Sequence, residues 1–261
     1  DLGVVAIFSG HTHVKYLEEV TGSGGNTMFV LQTGSYTANL GRVTVEVSGS
    51  DVLSSSADMI PLAEEPVLDG NPVIEEIKVI IDDAVASAEV LGEVIVGEIG
   101  ADLNRAVKPN GEENRGGESP IGNLIADVQL WAVASMGIGM TPDLAFMNPG
   151  GIRLDMAYDE DENGQVTYKQ VASMQPFGNT LEVFELTGAQ IIQVLEEQWQ
   201  PDDSRRPYLK LGVSERLKYT FDPEGTKGSH IGTVYLDGEP IDEDATFVVV
   251  ANNFLAAGGD S

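Results

Sequence analysis

Apolar residues recur along this chain in two periods, and the switches between them outline its elements. β-rich runs occupy residues 3–9, 27–32 and 41–48, and the stretch LGVVAIFS at residues 2–9 reads as a buried strand. Residues 49–70 are rich in Ser, Asp and Pro and predict a surface connection. Helical spacing takes over at residues 71–91, where Val73, Ile74, Ile77, Ile80, Ile81, Val85 and Ala88 share one face. A β-run at 94–99 follows. Residues 119–136 predict a strong helix, because Ser119 supplies an N-cap, Pro120 suits the first helical position, and Ile121, Leu124, Ile125, Val128 and Trp131 form an apolar stripe. Further on, the pattern predicts strands at 144–147, 181–186, 217–221, 233–236 and 246–251. It also predicts helices at 168–174 and 187–199, with Thr187 capping the second, and a tight turn at Asp237-Gly238. No internal repeat is present. Runs of strands and helices without strict alternation give a mixed α+β fold class.

Composition narrows the partners. The chain has 261 residues, of which 42% are hydrophobic, enough for one large domain or for one domain and part of another. Its net charge is −28, with only 14 Lys and Arg, so a nucleic-acid polymer finds no basic surface to bind. Anions can be held only at a few local cationic points, which makes an arginine in a glycine-rich loop conspicuous. There is no cysteine, which excludes disulfides and thiolate chemistry and fits an extracytoplasmic location. No apolar run is long enough to span a membrane. The chain opens on Asp1 at the edge of a strand and closes just after Gly258-Gly259-Asp260, so it reads as a fragment of a longer protein.

Four segments carry chemistry. Ser9-Gly10-His11-Thr12-His13 follows a strand and brings two imidazoles, His11 and His13, within reach of one metal such as Zn or Mn. A catalytic metal needs at least three protein ligands, so these two alone do not complete a site. Asn148-Pro149-Gly150-Gly151-Ile152-Arg153 is a strand-end loop with room for close backbone approach and, in Arg153, a planar fork suited to phosphate. Pro176-Phe177-Gly178-Asn179 sets an aromatic ring beside an amide. Asn252-Asn253-Phe254-Leu255, running on to Gly258-Gly259-Asp260, offers a second ring and a carboxylate fit to accept hydrogen bonds from a ribose diol. Two such rings can sandwich a base. Each residue also has a plainer reading: Phe177 and Phe254 as core, Arg153 as an ion-pair partner, Asp260 as a turn acid. Separately, Asp159, Asp161 and Asn163 have the spacing of a calcium loop, but Gln170 stands where a bidentate Glu is needed, and a solvated acidic hairpin tip is the favoured reading.

The segments NRGGESPIGNLIAD (114–127), NPGGIR (148–153), PFGN (176–179) and NNFLAAGGD (252–260) resemble the C-terminal domain of the 5'-nucleotidase family, which includes UDP-sugar hydrolases and 2',3'-cyclic-nucleotide phosphodiesterases. SGHTH resembles the last metal-ligand motif of that family's calcineurin-like metallophosphoesterase domain. The resemblance implies a remnant of the metallophosphoesterase domain over residues 1–70, a linker helix and hinge over 71–95, and a mixed-sheet substrate domain over 96–261. It implies that Phe177 and Phe254 sandwich the nucleobase, that Asp260 takes the ribose hydroxyls, and that Asn148 and Asn179 contact base or sugar. Arg115 and Arg153 would hold the phosphate, while His11 and His13 would each ligate one of two divalent ions in a secreted nucleotide hydrolase. The chain departs from the family at Gly111, where some members carry a second phosphate-binding arginine, and at Ser261, where a glycine is usual; Arg105 lies near the first of these gaps. The partner expected is a small-molecule nucleotide or nucleoside. By itself this chain is expected to bind it without turnover. A non-catalytic nucleoside-binding surface module and a thiosulfohydrolase-like relative are the competing readings.

Overall fold

A computed structural model describes residues 3–62, 70–137, 139–201 and 203–260. The expected departure at Ser261, and part of the expected connection at 49–70, lie outside them. The chain divides into two compact units, Asp1–Val79 and Ile80–Ser261. The boundary falls inside helix α1 (Pro72–Gly92).

In the first unit, β1 (Ala6–Phe8) runs parallel to β3 (Thr27–Thr33), which pairs antiparallel with β2 (Lys15–Thr21). β4 (Asn39–Ser48) and β5 (Asp51–Pro61) form a long hairpin. Two expectations change here. The Ser- and Asp-rich run is not a connection: residues 51–61 form the whole of β5, where polar side chains are tolerated because most of them face solvent. The first run is not a buried strand either, since only Ala6–Phe8 pair and Ile7 and Phe8 are exposed. Apolar periodicity reports which residues seek cover, not what covers them. Leu31 is the one fully buried hydrophobic residue of this unit among those described. Helix α1 forms where the spacing placed it, yet its stripe of Val73, Ile77, Ile80, Ile81 and Val85 is exposed.

The second unit is built around a mixed sheet of order β10 (Gly212–Val213), β7 (Leu144–Met147), β14 (Thr246–Asn252) and β9 (Leu181–Thr187). β7 and β14 are parallel; the other pairs are antiparallel. Alternation along β7 sorts its side chains to two sides of the sheet. Ala145 and Met147 pack with Ile121, Ile125, Ala126 and Val133 of α2 (Pro120–Ser135). Leu144 and Phe146 pack with Ile191 and Leu195 of α4 (Gly188–Glu196). Helices therefore cover both faces, which is why all four residues of this strand are buried and apolar. A second sheet, β11 (Leu217–Phe221), β12 (Ile231–Leu236) and β13 (Glu239–Pro240), closes the α4 side, and Asp237 and Gly238 both take positive φ at its tight turn. A small pair of β6 (Ile95–Glu98) and β8 (Gln165–Thr167) leads into α3 (Tyr168–Met174).

The caps act as expected. Ser119 Oγ accepts from the Gly122 N–H at 3.1 Å, and Thr187 forms a reciprocal capping box with Gln190. The stripe expected on α2 is only half right. Leu124, Val128 and Trp131 face solvent, while the buried face runs through Gly122, Ile125, Ala126, Gln129 and Val133. Helix 187–199 ends at Glu196, because the next residues turn to follow the Trp199–Tyr208 bridge.

Candidate functional site

Topology explains why distant segments meet. β7 and β14 are parallel neighbours, so their C-terminal ends lie side by side, and open α/β sheets bind ligands at such ends. The chain leaves β7 through Asn148 into a 3₁₀ turn, Pro149–Gly151. It leaves β14 at Asn252, which caps the short helix α5 (Asn253–Ala256) through a 2.9 Å bond from the Leu255 N–H. β9 is antiparallel to β14, with Leu181 opposite Asn252, so residues 176–179 arrive at this same edge. Thr180 and Asn253 lock that arrival with two bonds, of 2.9 and 3.1 Å.

The residues at this edge form a connected set. Asn148 is buried, and its side-chain amide is committed at both ends: Nδ2 donates to Asp260 Oδ2 at 2.8 Å, while Oδ1 accepts from Asn252 Nδ2 at 2.9 Å. Asp260 sits at φ 62°, a left-handed conformation tolerated by Asp more than by most residues. A Cβ built on Gly150 would lie 3.0 Å from Asp260 Oδ2 and 3.1 Å from Arg115 Nη1. The carboxylate and the guanidinium are thus packed together against Gly150, where any side chain would crowd both. The Phe254 ring lies against Gly259, where a Cβ would fall 2.4 Å from the ring edge. Phe177 carries the Arg153 guanidinium over its ring at 4.8 Å, and the backbone N–H of Arg153 donates to Met174 O. Both phenyl rings are about half exposed, at 54% and 46%. Among the ring contacts of the described residues, none joins Phe177 to Phe254.

Charge around Arg115 is arranged in a chain. Arg115 Nε donates to Glu113 at 3.0 Å; Glu113 also accepts from Arg105 at 3.2 Å, and Arg105 is held by Asp155 at 3.0 Å. The hydrogen bond that Arg105 donates to Asp155 raises the Arg105 pKa against the opposing effect of burial. Arg105, considered for the arginine missing at Gly111, therefore spends its donors on two carboxylates. Arg206 was not singled out from the sequence. Burial lowers its pKa, Arg115 pushes the same way, and Glu113 and Asp260 partly offset both, so its charge belongs to this group. Only a pairing across the fold could have revealed it.

The remaining candidates lie in other segments of the chain. His11 and His13 are exposed and both lie at positive φ, with the His13 ring edge against Tyr36. Thr12 between them is tied to Gln32, which is buried. Among the described residues no group of three or more His, Cys, Asp or Glu is gathered for a metal. The two imidazoles therefore do not by themselves fit a catalytic ion, and no step through a metal can be derived from this chain. At the acidic hairpin tip, Asp159 Oδ1 accepts from the N–H groups of Asp161 and Glu162, and Asn163 and Gly164 turn the chain at positive φ. Gln170, at the twelfth position of that loop, is bound into the capping box of α3 with Thr167.

Comparison with known proteins identifies the relatives of this chain. The family described as 5'-nucleotidase, C-terminal domain matches residues 95–261. The chain is 28% identical to the endonuclease YhcR of Bacillus subtilis over 98% of its own length and 18% of that protein. It is 30% identical to the cell wall protein Lmo0130 of Listeria monocytogenes over 97% of its length and 31% of the relative. It thus spans under a third of either relative. The crystal structure of a 5'-nucleotidase precursor from Thermus thermophilus superposes with a TM-score of 0.66 at 28% identity, covering 99% of this chain and 51% of that one.

Proposed function

This chain belongs to the 5'-nucleotidase family, through the C-terminal domain at residues 95–261, and on that premise we propose that its second unit holds a small nucleotide for an extracytoplasmic phosphohydrolase. The observation that supports the reading is the pair Asp260 and Arg115, an acceptor for a ribose diol and a donor for a phosphate, brought together against Gly150. Phe177 and Phe254 are the stacking surfaces for the base, and Asn179 offers it an amide. Arg153, poised over Phe177, adds a second cation toward the phosphate. Asn148, with both amide ends committed, positions Asp260 rather than reaching the ligand freely. Residues 1–70 would belong to a metallophosphoesterase domain and 71–95 to the connecting hinge. In the whole protein, His11 and His13 would serve as two of the ligands to divalent ions such as Zn or Mn, which supply Lewis-acid activation of phosphate and water. The protein's own contribution is to bind and orient.

A cell-wall relative supports a location outside the cytoplasm, and among the described residues no helix is long and apolar enough to cross a membrane. The name endonuclease attaches to a relative of which this chain spans 18%, and a net charge of −28 supports a small nucleotide over a polymer.

Calorimetry with AMP and adenosine tests the reading. Stacking contributes about 1–3 kcal/mol per base, so Phe177→Ala and Phe254→Ala should each weaken binding about tenfold or more. Asp260→Asn should weaken adenosine and AMP alike; Arg115→Met should weaken AMP more than adenosine. If neither phenylalanine variant weakens binding, the stacking assignment is wrong. A non-catalytic binding module is the second reading, motivated by the lack of a third metal donor among the described residues. Phosphate release from AMP by the full-length protein with Mn would exclude it.

A further inference from the structure

A pocket of about 140 Å³ opens beside Phe177, lined by Gln129, Gln175, Asn179, Leu181 and Asn252 among others; Phe254 does not line it. Its wall is unusual in one respect. Gln129 stands on the buried face of α2 between Ala126 and Val133, a position where an aliphatic side chain would pack without cost. It is 5% exposed.

Three primary amides converge there on one thioether. Gln129 Nε2 lies 3.2 Å from Met147 Sδ, Asn252 Nδ2 3.5 Å and Gln175 Nε2 3.6 Å. Sulfur in this setting accepts and does not donate, so the amides turn their N–H groups inward and their oxygens away. Rotating the Gln129 amide by half a turn would set oxygen against sulfur and strand the NH₂ group, which makes the observed orientation the favoured one. The Asn252 oxygen is satisfied by the Leu255 N–H. Gln129 Oε1 has no partner among the described residues. A buried carbonyl without a donor is destabilising, and its retention in a pocket wall points to a donor that arrives from outside.

We propose that Gln129, in the pocket beside Phe177, accepts a hydrogen bond from an exocyclic amino group on the bound nucleobase, so that amino-bearing bases are selected. This rests on the nucleotide reading above and sharpens it to a substrate class. Gln129 acts by direct contact with the base edge; Met147 and Gln175 position that edge of the pocket.

Adenosine and purine riboside differ only by the 6-amino group, which makes them the probes. Calorimetry on the 261-residue chain should give adenosine about a tenfold advantage, the scale of one neutral hydrogen bond. Gln129→Met keeps the length and packing of the side chain but removes the oxygen. It should bring the two ligands within about twofold of each other by weakening adenosine more than purine riboside, and measurable purine riboside binding reports that the site is folded. Gln129→Asn, which retracts the carbonyl and stays polar, should do the same and stands in should the Met variant fail to fold. Equal binding of the two nucleosides by the wild-type protein overturns the inference and leaves the nucleotide reading intact. So does an adenosine preference that survives in either variant. No binding of either nucleoside overturns both.

Discussion

Asn148 and Asp260 are 112 residues apart in sequence, and a 2.8 Å hydrogen bond joins them in the fold. Gly150 makes the geometry testable at a single atom. Its φ is not in the left-handed region, so the backbone accepts alanine there, but the new methyl would sit 3.0 Å from Asp260 and 3.1 Å from Arg115. By displacing both groups, Gly150→Ala should weaken AMP binding at least tenfold in calorimetry while moving the melting temperature by only a few degrees; unchanged AMP affinity would show that this pair does not hold the ligand. Gly212 is the structural counterpart. A Cβ there would lie 2.3 Å from the backbone oxygen of Gly122, with no flexible atom to yield, so Gly212→Ala should cost about 2 kcal/mol or more in urea unfolding. At this scale the sequence pointed to Arg115 only through the resemblance of its motif to a family. It was silent on Gln129 and Arg206, whose roles come from neighbours distant in sequence.

Helix α4 and the start of β12 are joined by one carboxylate. Glu196 accepts from the His230 ring at 2.6 Å and from the backbone N–H groups of Gly228, His230 and Ile231 at 2.8–2.9 Å, while Trp199 stacks on the imidazole at 4.2 Å. Burial alone would raise the Glu196 pKa, but the bonds from the His230 ring and the three N–H groups prevail and lower it. A carboxyl with a depressed folded-state pKa stabilises fully above its ordinary value of 4.5 and loses that contribution as pH falls through the folded value. Melting temperature should accordingly drop below about pH 4.5, and in Glu196→Gln this acid limb should be shallower on a lower plateau. Glu196→Ala strands three backbone donors and should cost roughly 2–4 kcal/mol at neutral pH, measured by denaturant titration. A variant as stable as the wild type would show that this junction does not hold the element. Such a junction escaped sequence reading, whereas the caps at Ser119 and Thr187 did not, since a cap acts within three residues. The phase of α2 fell between: its periodicity was plain, but Leu124, Val128 and Trp131 face water and Gln129 faces the sheet, because the partner surface chooses the buried stripe.

Across the whole molecule the two units differ in how far they bury themselves. Both core clusters lie within Ile80–Ser261, on the two faces of one sheet, while the first unit hides one hydrophobic residue fully among those described. A fragment of residues 80–261 should therefore melt cooperatively and retain nucleoside binding, whereas residues 3–62 alone should show no cooperative transition, since so little apolar area leaves water. Circular dichroism on the two fragments decides this; a cooperative transition from 3–62 would contradict it.

Local information was enough to place most elements, the caps, the Asp237-Gly238 turn and the four motif segments, because each depends on residues within a few positions of one another. The family resemblance was legible for the same reason: its motifs are contiguous. Tertiary structure alone decided that β7 and β14 run parallel side by side, and so that Asn148, Arg115 and Asp260 meet at Gly150. It also decided that a glutamine, not a leucine, lines the pocket beside Phe177. Hydrogen-bond partners across a sheet are set by strand order and register, which no single segment encodes.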